Sequence, residues 1–357
     1  MSTICLSMIV KNEAHCIKKC LESVRKHINY YVICDTGSTD NTKEIIKEVL
    51  KDIPGEIHDH EWKNFAHNRN LALNLSKKHC NYSLIIDADD YLVVQNPNTF
   101  KKLTEECYKM KIIHSSITYF RNQIVRNNVP AEYVGVLHEY LKCSNMHNSK
   151  DLRTCHMVFG GTGNRSTSKD KYLQDIKILE QGIIDEPNNE RYVFYLAQSY
   201  RDAGIYDKAY ENYIKRTSMG GWSEEQYISM LEAGKILDSN ENNADKIEQH
   251  YIMTYSFAPN RSEAFYYLAK YFRLKKDFYK SYFYATIGMQ IKKPIESLFL
   301  QDDCYDWQLM DEAAVAAYYI NKPTEGLHYN KMLLQNNKLP PNEKDRIITN
   351  YNFCKNL

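Results

Sequence analysis

SLIIDADDYL, residues 83–92, is the stretch on which the fold of the first part of this chain depends. Its apolar run is short, aliphatic and uniform, which predicts a strand buried on both faces. Three carboxylates follow within four positions, at Asp87, Asp89 and Asp90. Open α/β sheets bind their ligands at the carboxyl ends of their strands, so the pattern predicts a binding site at these acids.

Crowded carboxylates raise one another's pKa unless a cation lies between them. Oxygen ligands at a strand end suit Mg²⁺ or Mn²⁺, which can then hold a diphosphate. The alternative is a strand that ends in an acidic, helix-capping turn without a ligand. The two interpretations differ in whether other segments bring a nucleotide pocket to the same edge of the sheet.

Composition limits the class of protein. A chain of 357 residues is longer than one typical domain, which favours two domains. The 46 basic and 45 acidic residues give a formal net charge of +1, which argues against a nucleic-acid-binding surface built on bulk charge. The low numbers of glycines (13) and prolines (9) indicate a packed, helix-rich globular protein.

The first ten residues, MSTICLSMIV, are interpreted as a buried strand, because they lack the basic leader and the cleavage site of a signal peptide. No apolar run approaches the ~18–20 residues that a membrane-crossing helix needs. The ten cysteines include no CxxC pair and mostly lie in apolar segments, which is typical of reduced core thiols. The sequence therefore predicts a cytoplasmic protein without a transmembrane segment.

Strand and helix patterns alternate before the central stretch. Strand-like segments occupy residues 3–10, 30–34 and a short region near 57, and helical spacing occupies 14–25, the forties and 65–76. This alternation predicts a mostly parallel sheet covered by helices. The absence of a GxGxxG motif and of a P-loop argues against a dehydrogenase-type dinucleotide fold.

After residue 112 the pattern becomes irregular and strand-like, at 115–120, 133–137 and 154–159. The sequence GGTGN, residues 160–164, then predicts a mobile loop over the site.

Beyond residue 169 the chain is helical and repetitive. YLAQSYR at 195–201 recurs as YLAKYFR at 267–273, and both resemble the tetratricopeptide repeat. Such helix pairs bury their apolar faces only against neighbouring pairs, so several must stack. We therefore expect one domain over residues 1–168 and an all-α repeat domain over 169–357, with 311–334 capping the array.

Four segments in order resemble family 2 glycosyltransferases, in particular a branch with C-terminal tetratricopeptide repeats: MIVKNE (8–13), DTGSTD (35–40), AHNRN (66–70) and DADD (87–90). The resemblance implies a GT-A fold, which is a Rossmann-like, mostly parallel α/β sheet. It also implies a nucleotide-sugar donor, with UDP the expected nucleotide, and Mn²⁺ or Mg²⁺ as cofactor.

The resemblance assigns the donor nucleotide to the ends of the first strands. Val10, Asn12 and Glu13 would line it, with Glu13 near the ribose, and Asp35 would accept a hydrogen bond from the base. Arg69 would reach a carbonyl or phosphate oxygen of the nucleotide, which suits its five-donor fork. The alternatives are a turn acid at Asp35 and a surface salt bridge at Arg69.

The acidic cluster matches the family's DxD motif. Asp89 would touch the metal directly, Asp87 would contact the ribose or a metal-bound water, and Ala88 between them would line the donor. His156, at the end of a predicted strand, would complete the metal shell, although a satisfied core histidine is the alternative.

Inverting members of the family need a carboxylate that takes the acceptor's proton. The Glu-Asp pair common in the family has no clear match here, and we assign this role to Glu139, with His138 orienting it or contacting the donor phosphates. The alternative is an ordinary exposed pair at a strand end.

The leading hypothesis is therefore an inverting, metal-dependent glycosyltransferase acting on a protein, peptide or glycan. One alternative is an inactive, transferase-like scaffold that binds partners through its repeats. A sugar nucleotidyltransferase would need a glycine-rich, basic loop after the first strand, and KNEA (11–14) is not one. Peptide binding, homodimerisation and structural support stay open as roles of the repeats.

Overall fold

A computed structural model describes residues 1–114, 117–143, 149–163, 170–240, 243–295 and 297–356. The chain divides into two compact units, Met1–Asp185 and Glu186–Leu357. The helix Lys171–Asp185 belongs to the first unit, whereas the sequence analysis placed it at the start of the repeats. Its amphipathic pattern predicts a helix but does not specify which unit it packs with.

The strands of the first unit are β1 (Ile4–Val10), β2 (Tyr30–Asp35), β3 (Gly55–Asp59), β4 (Tyr82–Ile85), β5 (Tyr91–Val94), β6 (Cys107–His114), β7 (Ile117–Arg126), β8 (Ala131–Val134), β9 (Tyr140–Cys143) and β10 (Lys150–Val158). The helices are α1 (Ile17–Val24), α2 (Thr42–Val49), α3 (Phe65–Ser76) and α4 (Lys171–Asp185).

Eight of these strands form one sheet in the order β3-β2-β1-β4-β7-β6-β10-β5. The half from β3 to β4 is parallel throughout, so its carboxyl ends share one edge. In the other half, β7 runs antiparallel to both β4 and β6, while β6 and β10 are parallel. The predicted mostly parallel, helix-covered sheet is thus confirmed, and the sequence missed β6 and the short strands β5 and β9.

Local sequence explains the helices that cover the parallel half. In α1, Ile17, Cys20, Leu21 and Val24 are buried, which is the spacing of one apolar helix face. They pack in a common core with β1, β2 and β4. Helix α3 begins where predicted, because the side chain of Asn64 accepts a hydrogen bond from the backbone N–H of His67 at 2.8 Å.

A separate two-stranded sheet, the β8–β9 hairpin, is attached to α3. The Asn70 side chain accepts from the Tyr133 N–H at 2.6 Å and donates to the Tyr133 carbonyl at 2.9 Å. Lys77 Nζ donates to the carbonyl of Ala131 at 2.9 Å. These bonds satisfy backbone groups on an edge of β8 and fix the hairpin on the helix.

The second unit is helical throughout its described part. Its helices are α5 (Glu190–Asp202), α6 (Tyr206–Thr217), α7 (Ser223–Asn240), α8 (Ala244–Phe257), α9 (Glu263–Leu274), α10 (Phe278–Gly288), α11 (Leu309–Tyr319), α12 (Pro323–Gln335) and α13 (Lys344–Lys355), with a π-helical turn at Cys304–Gln308. They pair successively as hairpins, and the repeated motifs form α5 and α9, as predicted. The array continues beyond the predicted cap, because α13 packs on α12.

Ion pairs between corresponding helices bridge the first and third joints between consecutive hairpins, and Lys280 of α10 pairs with Glu248 of α8 at 2.7 Å across the second. Arg201 of α5 donates to Glu232 of α7 at 3.0 Å, and Arg273 of α9 donates to Glu312 of α11 at 3.0 Å. Both arginines close the repeated motif. Within the described residues of the whole chain, no helix is both long and apolar enough to cross a membrane.

Candidate active site

The predicted nucleotide residues meet at the shared carboxyl edge of β1, β2 and β4. Val10 ends β1 and is the register partner of Asp35, which ends β2. The strand β4, on the other side of β1, ends two residues before Asp87. Three neighbouring strands therefore place the residues of three distant motifs at one edge.

Two loops at this edge are bonded to each other. The Asn12 N–H donates to Ser38 Oγ at 2.9 Å, and the Asn12 side-chain oxygen accepts from the Thr39 N–H at 2.7 Å. Asn12 has a φ of 57°, a conformation that asparagine tolerates better than most residues. The Glu13 N–H donates to Thr42 Oγ1 at 2.8 Å. These contacts give Asn12 and Glu13 a structural role in shaping the loop.

The Asp35 side chain is fully buried, and in the described part of the chain only one of its two carboxylate oxygens accepts hydrogen bonds. Its Oδ1 accepts from the N–H groups of Gly37 and Ser38 at 2.8 and 2.7 Å. Its Oδ2 is buried and has no hydrogen-bond partner among the described residues. A buried carboxylate oxygen without a donor is costly, so this atom is a candidate acceptor for a ligand N–H.

Arg69 joins two carboxylates that the sequence assigned to different roles. Its Nη2 donates to Asp87 Oδ1 at 2.7 Å and its Nε donates to Glu139 Oε1 at 2.6 Å. Burial by itself would lower the pKa of Arg69, but the two carboxylates raise it above its usual value. Burial opposes ionisation of Asp87, yet Arg69, followed by Arg121, keeps the pKa of Asp87 below its usual range. The sequence analysis assigned Arg69 to the nucleotide, and did not foresee its bonds to both acids.

Asp90 is the buried member of the acidic cluster. Burial, and then the charge of Asp87, raise its pKa to about 7. Its Oδ1 accepts from the Gly160 N–H at 3.2 Å, and its Oδ2 lies 3.6 Å from Arg121 Nη2. The sequence analysis did not identify Arg121, because an arginine within a strand carries no local signal of the acids that it faces.

The predicted glycine loop contacts Asp89. The Gly163 N–H donates to Asp89 Oδ2 at 2.9 Å. A Cβ atom at Gly160 would lie 1.8 Å from the backbone oxygen of Asp89, so only glycine fits this close approach. Asn164, the last residue of the predicted loop, lies outside the described residues. Ala88, by contrast, packs into the hydrophobic core.

Glu139 and His138 occupy different environments. Glu139 has a side chain that is 11% exposed and lines a cavity of about 280 Å³ beside Asp87. His138 is exposed, has a φ of 52° and does not line this cavity. The cavity combines aromatic, amide and charged side chains: Arg69, Ile85, Ile86, Asp87, Lys109, Phe120, Arg121, Asn122, Gln123, Tyr133, Glu139, Tyr140 and Leu141.

Comparison with known proteins identifies the region that contains this site. Residues 5–169 match the model of glycosyl transferase family 2. The first unit therefore contains a glycosyl transferase family 2 domain. The family predicted from the four motifs is thus confirmed for this part of the chain.

Curated relatives resemble the family 2 domain and the repeats. The chain is 27% identical over 232 residues to the SPbeta prophage-derived glycosyltransferase SunS of Bacillus subtilis, covering 60% of this chain and 53% of SunS. It therefore spans about half the length of that relative. It is also 30% identical over 95 residues to a TPR repeat-containing protein of Synechococcus elongatus, covering 27% of this chain and 22% of that protein.

Solved structures that resemble part of the chain do so at low identity and low TM-score. MamA shares 13% identity at a TM-score of 0.37, covering 53% of this chain and 94% of MamA. A thermophilic TPR protein of Thermus thermophilus shares 11% identity at a TM-score of 0.34, covering 52% of this chain and 92% of that chain.

Two sets of side chains in the family 2 domain have the chemistry to hold a metal. Asp87 and Asp89 offer only oxygen, which suits Mn²⁺ or Mg²⁺. Glu13, His15 and Cys16 place one ligand atom each within 4.8 Å of one another, and their nitrogen and sulfur suit a softer ion such as Zn²⁺. By donor chemistry the all-oxygen pair suits the cation that the family implies, whereas among the described residues the Glu13 set is the group of three that converges, so the metal site at Asp87 and Asp89 stays a prediction.

His156 lies in β10, where it pairs with Val93 of β5 and Lys111 of β6. Its neighbours in the strand, Cys155 and Met157, point into the core, so the side chain of His156 lies on the opposite face. No hydrogen bond or ion pair links it to Asp87 or Asp89 in the described ranges, and its place in the metal shell stays a prediction.

The close approach of Gly160 to Asp89 predicts that two glycine substitutions differ in how strongly they weaken Mn²⁺ binding. Gly160→Ala should displace the Asp89 backbone and weaken Mn²⁺ binding strongly. Gly163→Ala is the matched comparison, because its Cβ would lie 3.2 Å from Asp89 Oδ2, a contact that a small shift can relieve. Mn²⁺ titration of both variants checks the order; equal affinities would contradict the role of the close approach.

Proposed function

We propose that the family 2 domain transfers a sugar from a UDP-sugar donor to a hydroxyl or other nucleophile of an acceptor, with inversion. The observation that carries the proposal is the buried, unpartnered Oδ2 of Asp35, which has no donor among the described residues at the carboxyl edge of the sheet. The imide N–H of uracil can donate a hydrogen bond to this oxygen, which would satisfy the buried acceptor. With the base at Asp35, the rest of the nucleotide would extend past Asn12 and Glu13 along the same edge, toward Asp87.

Asp87 and Asp89 would hold Mn²⁺ or Mg²⁺ at the donor diphosphate. When bound, the cation supplies Lewis-acid stabilisation of the negative charge on the leaving diphosphate. Gly163 orients the Asp89 carboxylate through its N–H at 2.9 Å. Arg69 holds Asp87 at 2.7 Å, which leaves Asp87 suited to a ribose hydroxyl or a bound water.

Glu139 is the base of the proposed reaction. The acceptor atom attacks the anomeric carbon as the bond from that carbon to the diphosphate oxygen breaks, and the acceptor proton passes to Glu139. Its position on the cavity wall beside Asp87 supports this role, and its bond from Arg69 Nε at 2.6 Å fixes the carboxylate. His138, exposed in the same turn, is assigned to the donor phosphates.

We extend the proposal to the partners. The acceptor is a protein, a peptide or a glycan, and the helical repeats recruit it or join two copies of the chain. The reaction takes place in the cytoplasm. Turnover of the donor separates the two functions, and a protein that binds no nucleoside diphosphate would favour the scaffold.

Thermal unfolding with each nucleoside diphosphate, with and without Mn²⁺, tests the proposal. UDP at about a hundred times its Kd should stabilise the protein by about 2.7 kcal/mol. Asp35→Asn should abolish the shift, because an amide N–H would then face the base. Asp59→Asn is the matched control, since Asp59 ends the neighbouring strand in register with Asp35 but is exposed. A shift with another nucleotide would change the donor, and no shift with any of them would favour the scaffold.

Glu139→Gln separates binding from chemistry. Loss of the general base should reduce turnover by roughly 10²–10⁴-fold while the UDP-dependent thermal shift is retained. Sugar transfer to the acceptor and melting temperature are measured on the same preparation. Unchanged turnover would remove Glu139 from the proton transfer.

A further inference from the structure

Two buried thiols outside the proposed binding site lie against each other. Cys107, the first residue of β6, and Cys143, the last residue of β9, have their sulfur atoms 3.1 Å apart. A disulfide needs about 2.05 Å between its sulfurs, so a small side-chain movement would close the distance. Within the described ranges, no other two cysteines are joined by a sulfur–sulfur hydrogen bond.

The surroundings make the two sulfurs unequal. A hydrogen bond joins the two thiols, and with the charge of Lys77 it lowers the pKa of Cys143 against the effect of burial. The same bond, and then burial, raise the pKa of Cys107. The positive charge of Lys77 favours the thiolate at Cys143, which makes this sulfur the better nucleophile toward an oxidant.

The position of the pair matters because of what it would connect. Cys143 belongs to the β8–β9 hairpin, a sheet of its own that is bonded to α3. Cys107 belongs to β6 of the eight-stranded sheet. Glu139 immediately precedes β9. A covalent bond between the sulfurs would tie the hairpin that carries Glu139 directly to the large sheet.

We propose that Cys107 and Cys143 form a reversible disulfide under a hydroperoxide, which fixes the β8–β9 hairpin against β6. The Cys143 thiolate attacks a peroxide oxygen and breaks the O–O bond, giving a sulfenic acid and hydroxide. The Cys107 sulfur then attacks the Cys143 sulfur and displaces the hydroxyl. In total, two thiols and one hydrogen peroxide give one disulfide and two waters, and a thiol reductant reverses the change.

Disulfide mapping of the full chain tests the proposal. After hydrogen peroxide treatment, denaturation and thiol counting, we expect two of the ten cysteines to be lost, and a crosslinked peptide pair that contains Cys107 and Cys143. Cys107→Ser and Cys143→Ser should each remove this crosslink. Cys155→Ser, which changes a buried thiol of the same sheet, is the matched control and should retain it. Ten free thiols after treatment, or a crosslink between other cysteines, would overturn the proposal.

Stability and exchange give a second measurement that does not depend on the serine variants. The oxidised wild-type protein should melt at a higher temperature, because the crosslink restricts the unfolded chain. Backbone amides of β8 and β9 should exchange more slowly, and reductant should restore both values. An unchanged melting temperature together with unchanged exchange would show that the bond does not fix the hairpin.

The effect on catalysis rests on the proposed function, since it acts through Glu139. Turnover by the oxidised wild type should differ from that of the reduced protein and return with reductant, while Cys143→Ser should be insensitive to peroxide. The UDP-dependent shift of the reduced protein tests the donor site separately. If UDP causes no shift, the mapped crosslink still supports the disulfide. If no crosslink forms, a UDP-dependent shift still supports the donor site.

Discussion

Asp89→Asn is expected to reduce kcat/KM by roughly 10²–10³-fold, the loss typical of removing a group that stabilises developing charge. Asparagine keeps the shape of the side chain and an oxygen that can accept from Gly163 N–H, so the glycine loop should stay in place. The lost negative charge weakens the site for a hard divalent cation. Initial rates over a range of Mn²⁺ concentrations should therefore show a higher requirement for the metal.

Asp52→Asn provides the control for this change. Asp52 is 67% exposed and pairs with Arg25, so its replacement should leave both kcat/KM and the requirement for Mn²⁺ unchanged. Equal kinetics for Asp89→Asn and Asp52→Asn would remove Asp89 from the metal site. Attention would then move to Glu13, His15 and Cys16, whose ligand atoms also lie close together.

Arg69→Ala should have the second large effect, on stability as well as on activity. The Arg69 and Glu139 side chains are 12% and 11% exposed, so the substitution leaves Glu139 poorly solvated and without its cation, while Asp87 keeps Arg121 at 3.9 Å. Breaking a buried pair by removing one partner costs about 3–5 kcal/mol. Denaturant unfolding should show this loss in the free energy of unfolding, and turnover should be lost even at temperatures where the variant is folded.

Arg69→Lys distinguishes charge from geometry. A lysine restores the charge but cannot present the fork that bonds Asp87 and Glu139 from two different nitrogens. Much of the stability should return, while turnover should stay low. The contrary result, full turnover with lysine, would mean that a positive charge alone orients the two carboxylates.

The parallel half of the sheet could be predicted because its signals are local. The apolar run before Asp87 and the strand that ends at Asp35 each specify a strand and its end from adjacent residues. Parallel strands with helical crossovers place those ends together. The place of Asp35 and Asp87 at one edge of the sheet therefore followed from order and spacing, whereas their donor-binding roles rest on the family resemblance.

The other half of the site depends on contacts between distant residues. Gly163 bonds Asp89 across 74 positions of sequence, and Arg69 bonds Glu139 across 70. Arg121 reaches the acids only because β7 pairs antiparallel with β4. No period or motif near these residues encodes such a pairing. The four-residue strands β5 and β9 are also too short to show a clear alternation.

The ion pairs between hairpins have a consequence for how the repeat array can grow. Arg201 and Arg273 close the first and third hairpin motifs and bind Glu232 and Glu312 of the hairpins that follow them. In the sequence register of the repeat, α7 carries Leu237 where the arginines stand, and Leu237 is buried. The second joint is bridged at other positions, by Lys280 of α10 and Glu248 of α8, so each hairpin is matched in charge to its own neighbours. Inserting or removing a single hairpin would therefore leave charged side chains facing a neighbour that offers them no partner.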